Sequence, residues 1–259
     1  MVRVFLVRGM LVGIVAGLLC FGFLKVFGEP PTDRAIAFET QLDDAKADAK
    51  VDAKVDAKAG AKSTAETEPP ELVSRPTQAG LGLFTAVMVY CTAFGGLFGL
   101  AFAFAYGRVP GAPAPQTLAA LLAAIGFVTI YLVPDLKYPA NPPSVGNFET
   151  IGIRTALYFG MIAISIAAMG ASLMLRRLLV PLCGAWNASL AAVASYIAIA
   201  AVAGLVLPAV NEVPQQFPAG VLWQFRIASI GAQAIMWATI GLLFGALSER
   251  AFAQRALRA

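Results

Sequence analysis

The sequence predicts an all-α integral membrane protein with six transmembrane helices. Hydrophobic residues make up 59% of the chain and charged residues only 13%, whereas soluble domains carry about 25% charged residues. The mean hydropathy is +0.75. No segment alternates with the two-residue period of a barrel strand, and each apolar run is long enough to cross about 30 Å of hydrocarbon as a helix. The runs lie near residues 4–27, 81–106, 117–134, 155–175, 187–208 and 221–247.

The first apolar run starts like a signal peptide, because Arg3 and Arg8 precede its core. It nevertheless continues to Phe27 with only Lys25 as an interruption, and no A-x-A cleavage pattern follows it. We therefore predict that residues 1–27 are a retained transmembrane helix.

Orientation is predicted from lysine and arginine, which accumulate on the cytoplasmic side of membrane proteins. With the N-terminus in the cytoplasm, the short outer loops hold only Lys137, with Arg154 and Arg226 at or just inside the helices that follow. Both termini are then cytoplasmic, and the net charge of +4 needs no nucleic-acid partner. The basic residues predicted inside are Arg3, Arg8, Arg108, Arg176, Arg177, Arg250, Arg255 and Arg258.

The chain after the first helix divides into a predicted extracytoplasmic loop over residues 28–80, a five-helix bundle over 81–250 and a cytoplasmic tail over 251–259. Within the loop, residues 44–62 repeat Asp-Ala-Lys with a period of four. On a helix this period stacks like charges, which opposes the helix that alanine favours. We interpret the repeat as a solvated, partly helical tether; a metal-gathering or docking element is the alternative.

Glycines recur at four-residue spacing in three of the predicted helices. Small residues at this spacing let helix backbones touch. We interpret them as packing faces within the bundle, and a homo-oligomer contact is the alternative. These glycines are Gly9, Gly13 and Gly17, then Gly95 and Gly99, then Gly241 and Gly245.

The sequence offers no recognisable catalytic machinery or permanent cofactor site. There are no histidines, which excludes histidine-based triads and HExxH zinc sites. No phosphate-binding GxxxxGK[ST] motif occurs, so we predict that the chain does not hydrolyse ATP. A membrane-embedded enzyme would need a nucleophile with a base or a metal site within the bundle, and since we find no such pair we predict no enzyme. Cys20, Cys91 and Cys183 lie in or beside different apolar runs without C-x-x-C spacing, and we interpret them as small apolar fillers rather than metal thiolates or disulfides.

Two helix ends resemble each other: helix three ends in YLVPDLKYPANPP and helix five in LVLPAVNEVPQQFP. Each leaves the membrane through Leu-Val and a proline, followed by an acid, an asparagine and further prolines. Arg154 or Arg226 then comes as the next helix begins. This pattern indicates two helical hairpins repeated in the same orientation, with helices one and two, joined at Glu29-Pro30, as a looser third copy.

If the hairpins repeat, their outer turns converge on one face of the membrane. Prolines hold these segments extended, and rigid carbonyls with carboxylates are suitable ligands for a divalent cation. Alternatively, the loops are polar and proline-rich only because the chain turns at the headgroups, and Asp135 with Lys137 is a mere surface pair. Glu149 joins the same face. The predicted metal ligands are Glu29, Asp33, Glu39, Asp135, Asn141, Asn211 and Glu212.

Arg226 lies inside the start of the last helix, and Gln233 follows two turns later on the same face. An arginine at a helix end can extend to the headgroups at small cost, which is the interpretation we favour. A functional arginine would instead face the bundle and pair with an acid such as Glu212.

Several long motifs together resemble the CbtA family of predicted cobalt transporter subunits. They are VRVFLVRGMLVGIVAGLLCFGFLKVFGEP near the start, TDRAIAFE at 32–39, ELVSR at 71–75, LVPDLKYPANPP, GAWNASL at 184–190 and LPAVNEVPQQFP. The resemblance covers essentially the whole chain outside the Asp-Ala-Lys repeat. It implies a multi-pass protein of the bacterial inner membrane, assigned to cobalt uptake largely through association with vitamin B12 genes.

The resemblance also implies a small CbtB-like partner subunit with a histidine-rich end, and Co²⁺ as the transported ion. In the family the first outer loop is often rich in histidine, where this chain has its repeat, so capture falls to the partner's histidines or the ion differs. The family-like outer residues are Glu29, Asp33, Glu39, Asp135, Lys137, Asn141, Asn211 and Glu212.

The sequence as a whole predicts the membrane subunit of a divalent-metal uptake transporter, with cobalt favoured; the alternative is a non-transporting scaffold for the small partner. Apart from Glu249 at an inner helix end, no acid lies deep in a predicted helix. A site at the membrane midplane would have to use backbone carbonyls, methionines, or the polar side chains of Ser165, Ser195, Ser229, Gln233 and Thr239.

Overall fold

The computed structural model describes residues 2–56, 73–108, 113–143 and 145–256, and within these ranges it contains helices and no strands. A π-helical segment, Gln78–Gly82, precedes α4, another, Phe127–Leu132, follows α5, and a 3₁₀ turn, Phe148–Thr150, precedes α7. The helices are α1 Val2–Phe27, α2 Glu29–Asp56, α3 Arg75–Thr77, α4 Leu83–Ala105, α5 Pro115–Gly126, α6 Val133–Lys137, α7 Ile151–Val206 and α8 Ala219–Ala256.

Five helical segments of the described chain are long and apolar enough to cross a membrane. The six predicted runs fall within them to within two residues, and the fourth and fifth runs share one segment. These segments are Val2–Ala45, Arg75–Ala105, Pro115–Lys137, Phe148–Val206 and Ala219–Gln254.

The shared segment contains a reversal of the chain at Gly184. This residue has φ +81° and ψ 163° inside α7, in the region that favours glycine. The hydroxyls of Ser172 and Ser195 are 2.8 Å apart, although residues 23 positions apart in a straight helix are about 34 Å apart. The two arms of α7 therefore run antiparallel as a hairpin.

The chain does not turn back at Glu29-Pro30, where the looser third repeat was expected to have its outer turn. After a turn at Gly28 it resumes as α2, because Pro30 and Pro31 fall in the first helical turn, where a missing N–H costs nothing. Residues 44–56 of the Asp-Ala-Lys repeat continue this helix, and residues 57–62 lie outside the described chain.

The glycines pack helices against each other within this chain, which confirms the bundle-packing interpretation. A Cβ on Gly9 would collide with the carbonyl oxygen of Gly95, and one on Gly13 with that of Cys91. On α8, a Cβ on Gly245 would lie 3.1 Å from the Cβ of Ala119 on α5. Backbone contact therefore joins α1 to α4, and close contact joins α8 to α5.

An aromatic cluster brings the beginning of α1 and the end of α8 to the same end of the bundle. The ring centroids of Phe5 and Phe252 are 5.9 Å apart, and those of Phe102 and Phe244 are 5.0 Å apart. The opposite end carries the turns after α1, α6 and α7, and we call it the turn face. It comprises residues 28–39, 73–82, 135–143, 145–150 and 207–226.

We predict that Gly13→Leu destabilises the protein by about 1–3 kcal/mol, because its side chain has no space against the α4 backbone. Gly22→Leu on the same helix is the matched control, since a Cβ there meets nothing within 4 Å. Thermal unfolding of both variants in detergent tests the difference. Equal melting temperatures for the two variants would contradict the backbone contact.

Candidate functional site at the turn face

Two carboxylates on α2 share one arginine. The Nη2 of Arg75 lies 2.7 Å from Oε2 of Glu29 and 2.8 Å from Oδ1 of Asp33, and its Nε donates to the same Asp33 oxygen over 3.1 Å. Glu29 and Asp33 face the same side because they are one helical turn apart. Two negative charges therefore meet one positive charge at this position.

Glu212 is bound by the turn that precedes α7. It accepts hydrogen bonds of 2.6 Å from both the Asn147 backbone N–H and the Thr150 hydroxyl, and the Nε of Arg154 lies 3.5 Å away. These hydrogen bonds, aided by the Arg154 charge, lower the pKa of Glu212 below its ordinary value. Glu212 is therefore held in its ionised form.

Local sequence explains why this turn fits so closely around Glu212. The Asn147 side chain accepts a hydrogen bond of 3.0 Å from the Glu149 N–H, which starts the short 3₁₀ turn. Gly146 has φ +127°, and a Cβ there would lie 2.5 Å from Nη1 of Arg154. Glycine at position 146 therefore allows the guanidinium to approach the backbone.

Arg226 binds the same turn from the other side. Its Nη2 donates to Oδ1 of Asn141 over 2.9 Å, and its Nε donates to the Ala140 carbonyl over 3.3 Å. Asp135 is buried beside it and accepts a bond of 3.2 Å from the Ala140 N–H. Arg226 thus faces protein groups, but its partner is Asn141, and Glu212 binds Arg154 instead.

The two arginines connect the repeated turns reciprocally. Arg154 follows the turn at 138–150 and reaches Glu212 in the turn at 207–218, whereas Arg226 follows the second turn and reaches Asn141 in the first. We call these two contacts the crossed latch. The Tyr138 hydroxyl strengthens it by donating to the Pro208 carbonyl over 2.9 Å.

The remaining predicted residues are not gathered at one point. Glu39 and Asn211 are exposed on α2 and in the second turn. The Lys137 ammonium lies 5.8 Å from the Tyr138 ring centre. Gln233 lies deeper, where it donates to the Tyr90 hydroxyl over 3.2 Å. Across the described residues, no three acidic, cysteine or histidine side chains are close enough to hold a metal ion.

Small apolar contacts join the two acidic regions of the turn face. Ala35 of α2 packs with Val145 and Phe217 from the two latched turns. The ring centroids of Phe38 and Phe217 are 5.1 Å apart. The Glu29–Asp33 pair and the crossed latch are therefore separate charge groups on one continuous surface.

A cavity of about 450 Å³ opens beside the crossed latch. Its lining provides hydroxyl, amide and guanidinium groups, and none of the described residues that line it is acidic. Divalent cations favour carboxylate and carbonyl oxygens, so this cavity is a poorer cation site than the α2 pair. Its polar lining residues are Tyr138, Asn141, Arg154, Thr155 and Tyr158.

The sequence interpretation missed a contact between two cysteines. Cys20 and Cys91 are both buried and belong to one core cluster at the seam between α1 and α4. Their separation of 71 positions hides the contact in the sequence. The signal in the sequence is the spacing: Cys20 follows Gly17 by three residues and Cys91 follows Met88 by three, and Gly17 packs against Met88.

We predict that Glu212→Gln lowers the melting temperature at neutral pH more than Glu149→Gln does, because Glu149 is exposed in the same region and makes no part of the crossed latch. The Glu212 contribution is present above the ordinary glutamate pKa of about 4.3 and is lost as the pH falls through its lowered folded-state pKa. Thermal unfolding from neutral to acidic pH measures this. A difference that stays constant with pH would argue against an ionised latch.

Comparison with known proteins places the chain in a family. The model of the family described as probable cobalt transporter subunit (CbtA) matches residues 2–249, which include both turns of the crossed latch and the α2 carboxylates. Neither the curated proteins nor the solved structures contain a match. Since the family match covers nearly the whole chain, this protein belongs to the CbtA family of probable cobalt transporter subunits.

Proposed function

We propose that this chain is the membrane subunit of a cobalt uptake transporter and that it captures the ion at the turn face. Family membership supports the transport of cobalt. The observation that carries the capture site is that Glu29 and Asp33 share a single arginine. Membership in a family of transporter subunits also supports the inference that the chain is not an enzyme.

The proposed topology has six crossings with both termini in the cytoplasm of a bacterium. The reversal at Gly184 supplies the additional crossing beyond the five continuous segments. Arg8 and Arg250 then lie on the cytoplasmic side, as the positive-inside rule requires. The turn face is consequently extracytoplasmic in this proposal.

The α2 pair is the best-suited of the acidic groups for capturing a cation. Glu212 and Asp135 already accept hydrogen bonds from backbone N–H groups, whereas Glu29 and Asp33 have Arg75 as their shared counter-ion. A divalent cation that displaces this guanidinium gains two carboxylate ligands on one helix face. The other predicted residues then shape the turn face around the cation, with Glu39 farther along α2 and Gln233 below. The residues around the cation are Asp135, Lys137, Asn141, Arg154, Asn211, Glu212 and Arg226.

A partner protein supplies what this chain lacks. Cobalt is well suited to imidazole ligands, and the chain has no histidine. We propose that a small CbtB-like membrane protein with a histidine-rich end delivers or receives the ion, while this chain holds no permanent cofactor. The lipid bilayer and a further copy of this chain are its other proposed neighbours.

We expect the double variant Glu29→Gln, Asp33→Asn to raise the cobalt concentration for half-maximal uptake by about a hundredfold or more, since each lost charged ligand costs about 1.5–3 kcal/mol. Uptake is measured in a bacterium without its own high-affinity cobalt route, with the partner co-expressed. Glu149→Gln is the control for a charge change elsewhere on this face.

Unchanged cobalt accumulation relative to cells without the protein, with both proteins shown to be in the membrane, would reject the transporter and favour the scaffold. Normal uptake by the double variant would reject only the α2 site. Nickel, zinc and magnesium measured in parallel report which ion is carried.

Arg75→Gln separates capture from mere structural pairing. If Arg75 is a displaceable counter-ion, its removal leaves both carboxylates for the metal, and the half-maximal cobalt concentration falls or stays constant. If the ion pair only holds α2 in place, Arg75→Gln impairs uptake as much as the double acidic variant does. The same uptake assay at low cobalt concentration distinguishes these results.

A further inference from the structure

Three helices meet at a pair of buried thiols. Cys20 on α1 is 3% exposed and Cys91 on α4 is 2% exposed. Both belong to one buried core cluster, and the Cys20 Sγ lies 3.3 Å from the Ala232 carbonyl oxygen on α8. The pair therefore combines two sulfur atoms and one backbone oxygen from different helices.

A third sulfur atom belongs to the same seam. A Cβ built on Gly17 would lie 2.8 Å from Sδ of Met88 and 3.4 Å from Cβ of Cys91. Gly17 and Met88 precede Cys20 and Cys91 by one helical turn each. The absence of a side chain at position 17 thus leaves the thioether beside the thiol pair.

We propose that Cys20 and Cys91 form an intramembrane binding site for a divalent metal ion with an affinity for sulfur, assisted by Met88 and the Ala232 carbonyl. The choice of Co²⁺ as this ion rests on the proposed function. Thiolate sulfur binds Zn²⁺, a comparable ion, at about 2.3 Å, which places two sulfurs about 3.8 Å apart in a tetrahedral site.

The charge balance of this site suits the hydrocarbon region. Binding replaces the two S–H protons with one divalent ion, and both protons leave to water, so two thiolates neutralise the two positive charges. An uncompensated divalent ion in the same place would be very costly. The sulfurs therefore provide the negative charge that carboxylates provide at the turn face, at a depth where none of the described helices carries an acid.

The position of Cys20 and Cys91 fits a second metal-binding site below the proposed capture site at Glu29 and Asp33. Cys20 lies seven residues before the end of α1 at Phe27, or about 10 Å along the helix. Glu29 and Asp33 begin the helix that follows. The sulfur pair on α1 and α4 thus lies near the start of α2, which carries the carboxylate pair.

The test is cobalt binding to the purified, reduced, full-length protein. We expect one Co²⁺ per chain to produce thiolate-to-metal charge-transfer absorption in the near ultraviolet and intense visible bands typical of a four-coordinate site. Cys20→Ala and Cys91→Ala should each abolish these bands. Cys183→Ala is the matched control, because Cys183 is exposed on α7, and it should leave the spectrum unchanged.

Absence of the bands in the wild-type protein, or their survival in both Cys20→Ala and Cys91→Ala, would overturn the site. Should these variants fail to fold, alkylation of the wild-type protein followed by mass spectrometry gives the same answer. Co²⁺ should protect Cys20 and Cys91 but not Cys183, and equal protection or none rejects the proposal.

The spectrum and the uptake assay separate the two proposals. A protein that shows the thiolate bands but raises no cobalt uptake would refute the transport function and keep the site. Uptake with no thiolate bands would refute the site and keep the function.

Discussion

Direct backbone contact between α1 and α4 is the constraint on which the rest of the structure depends. Lipid chains are as apolar as leucine, so helices gain little from hydrophobic burial and associate through close packing. Gly9, Gly13, Gly95 and Gly99 provide that packing. The same contact fixes the rotation of both helices about their axes. This rotation places Cys20 and Cys91 together inside the seam. It also places the end of α1, where Glu29 follows, beside the segment that contains Arg75.

Charge on the turn face is organised by pairs that connect distant parts of the chain. Arg75 reaches back to α2, Arg154 reaches forward to Glu212, and Arg226 reaches back to Asn141. Such exposed or half-exposed pairs are individually weak, so their value lies in setting which helix ends are neighbours. The reciprocal latch also gives a physical meaning to the repeated turns: two similar hairpins side by side each offer an arginine to the other. Of the carboxylates on this face, Glu29, Asp33 and Glu212 each have an arginine counter-ion.

Much of this architecture could be predicted from the sequence because lipid imposes simple rules. Apolar length located the helices, glycine spacing located the packing faces, and the motifs identified the CbtA family. The chain reversal could not be fixed to one residue, since Gly184 resembles any other glycine until its φ of +81° is known. Pro30 suggested a turn of the chain, but Pro30 and Pro31 lie in the first turn of α2 instead. Proline occurs both in turns and at helix starts, and sequence alone does not separate these two uses. Partners such as Cys20 with Cys91, or Arg226 with Asn141, depend on helix rotation and register, which a single sequence does not encode in readable form.

The α7 hairpin is held to the rest of the protein mainly at the end that carries the crossed latch. Within the described chain, α7 packs mainly against the Phe127–Lys137 segment and the 3₁₀ turn that precedes it, and the crossed latch holds it at that same end. Its first arm then extends for about 50 Å to the reversal. A rigid arm of this length, held at one end, converts each degree of rotation at the latch into a displacement of about 1 Å at Gly184. A small rotation at the crossed latch therefore displaces the reversal at Gly184 much more than it displaces the turn face itself.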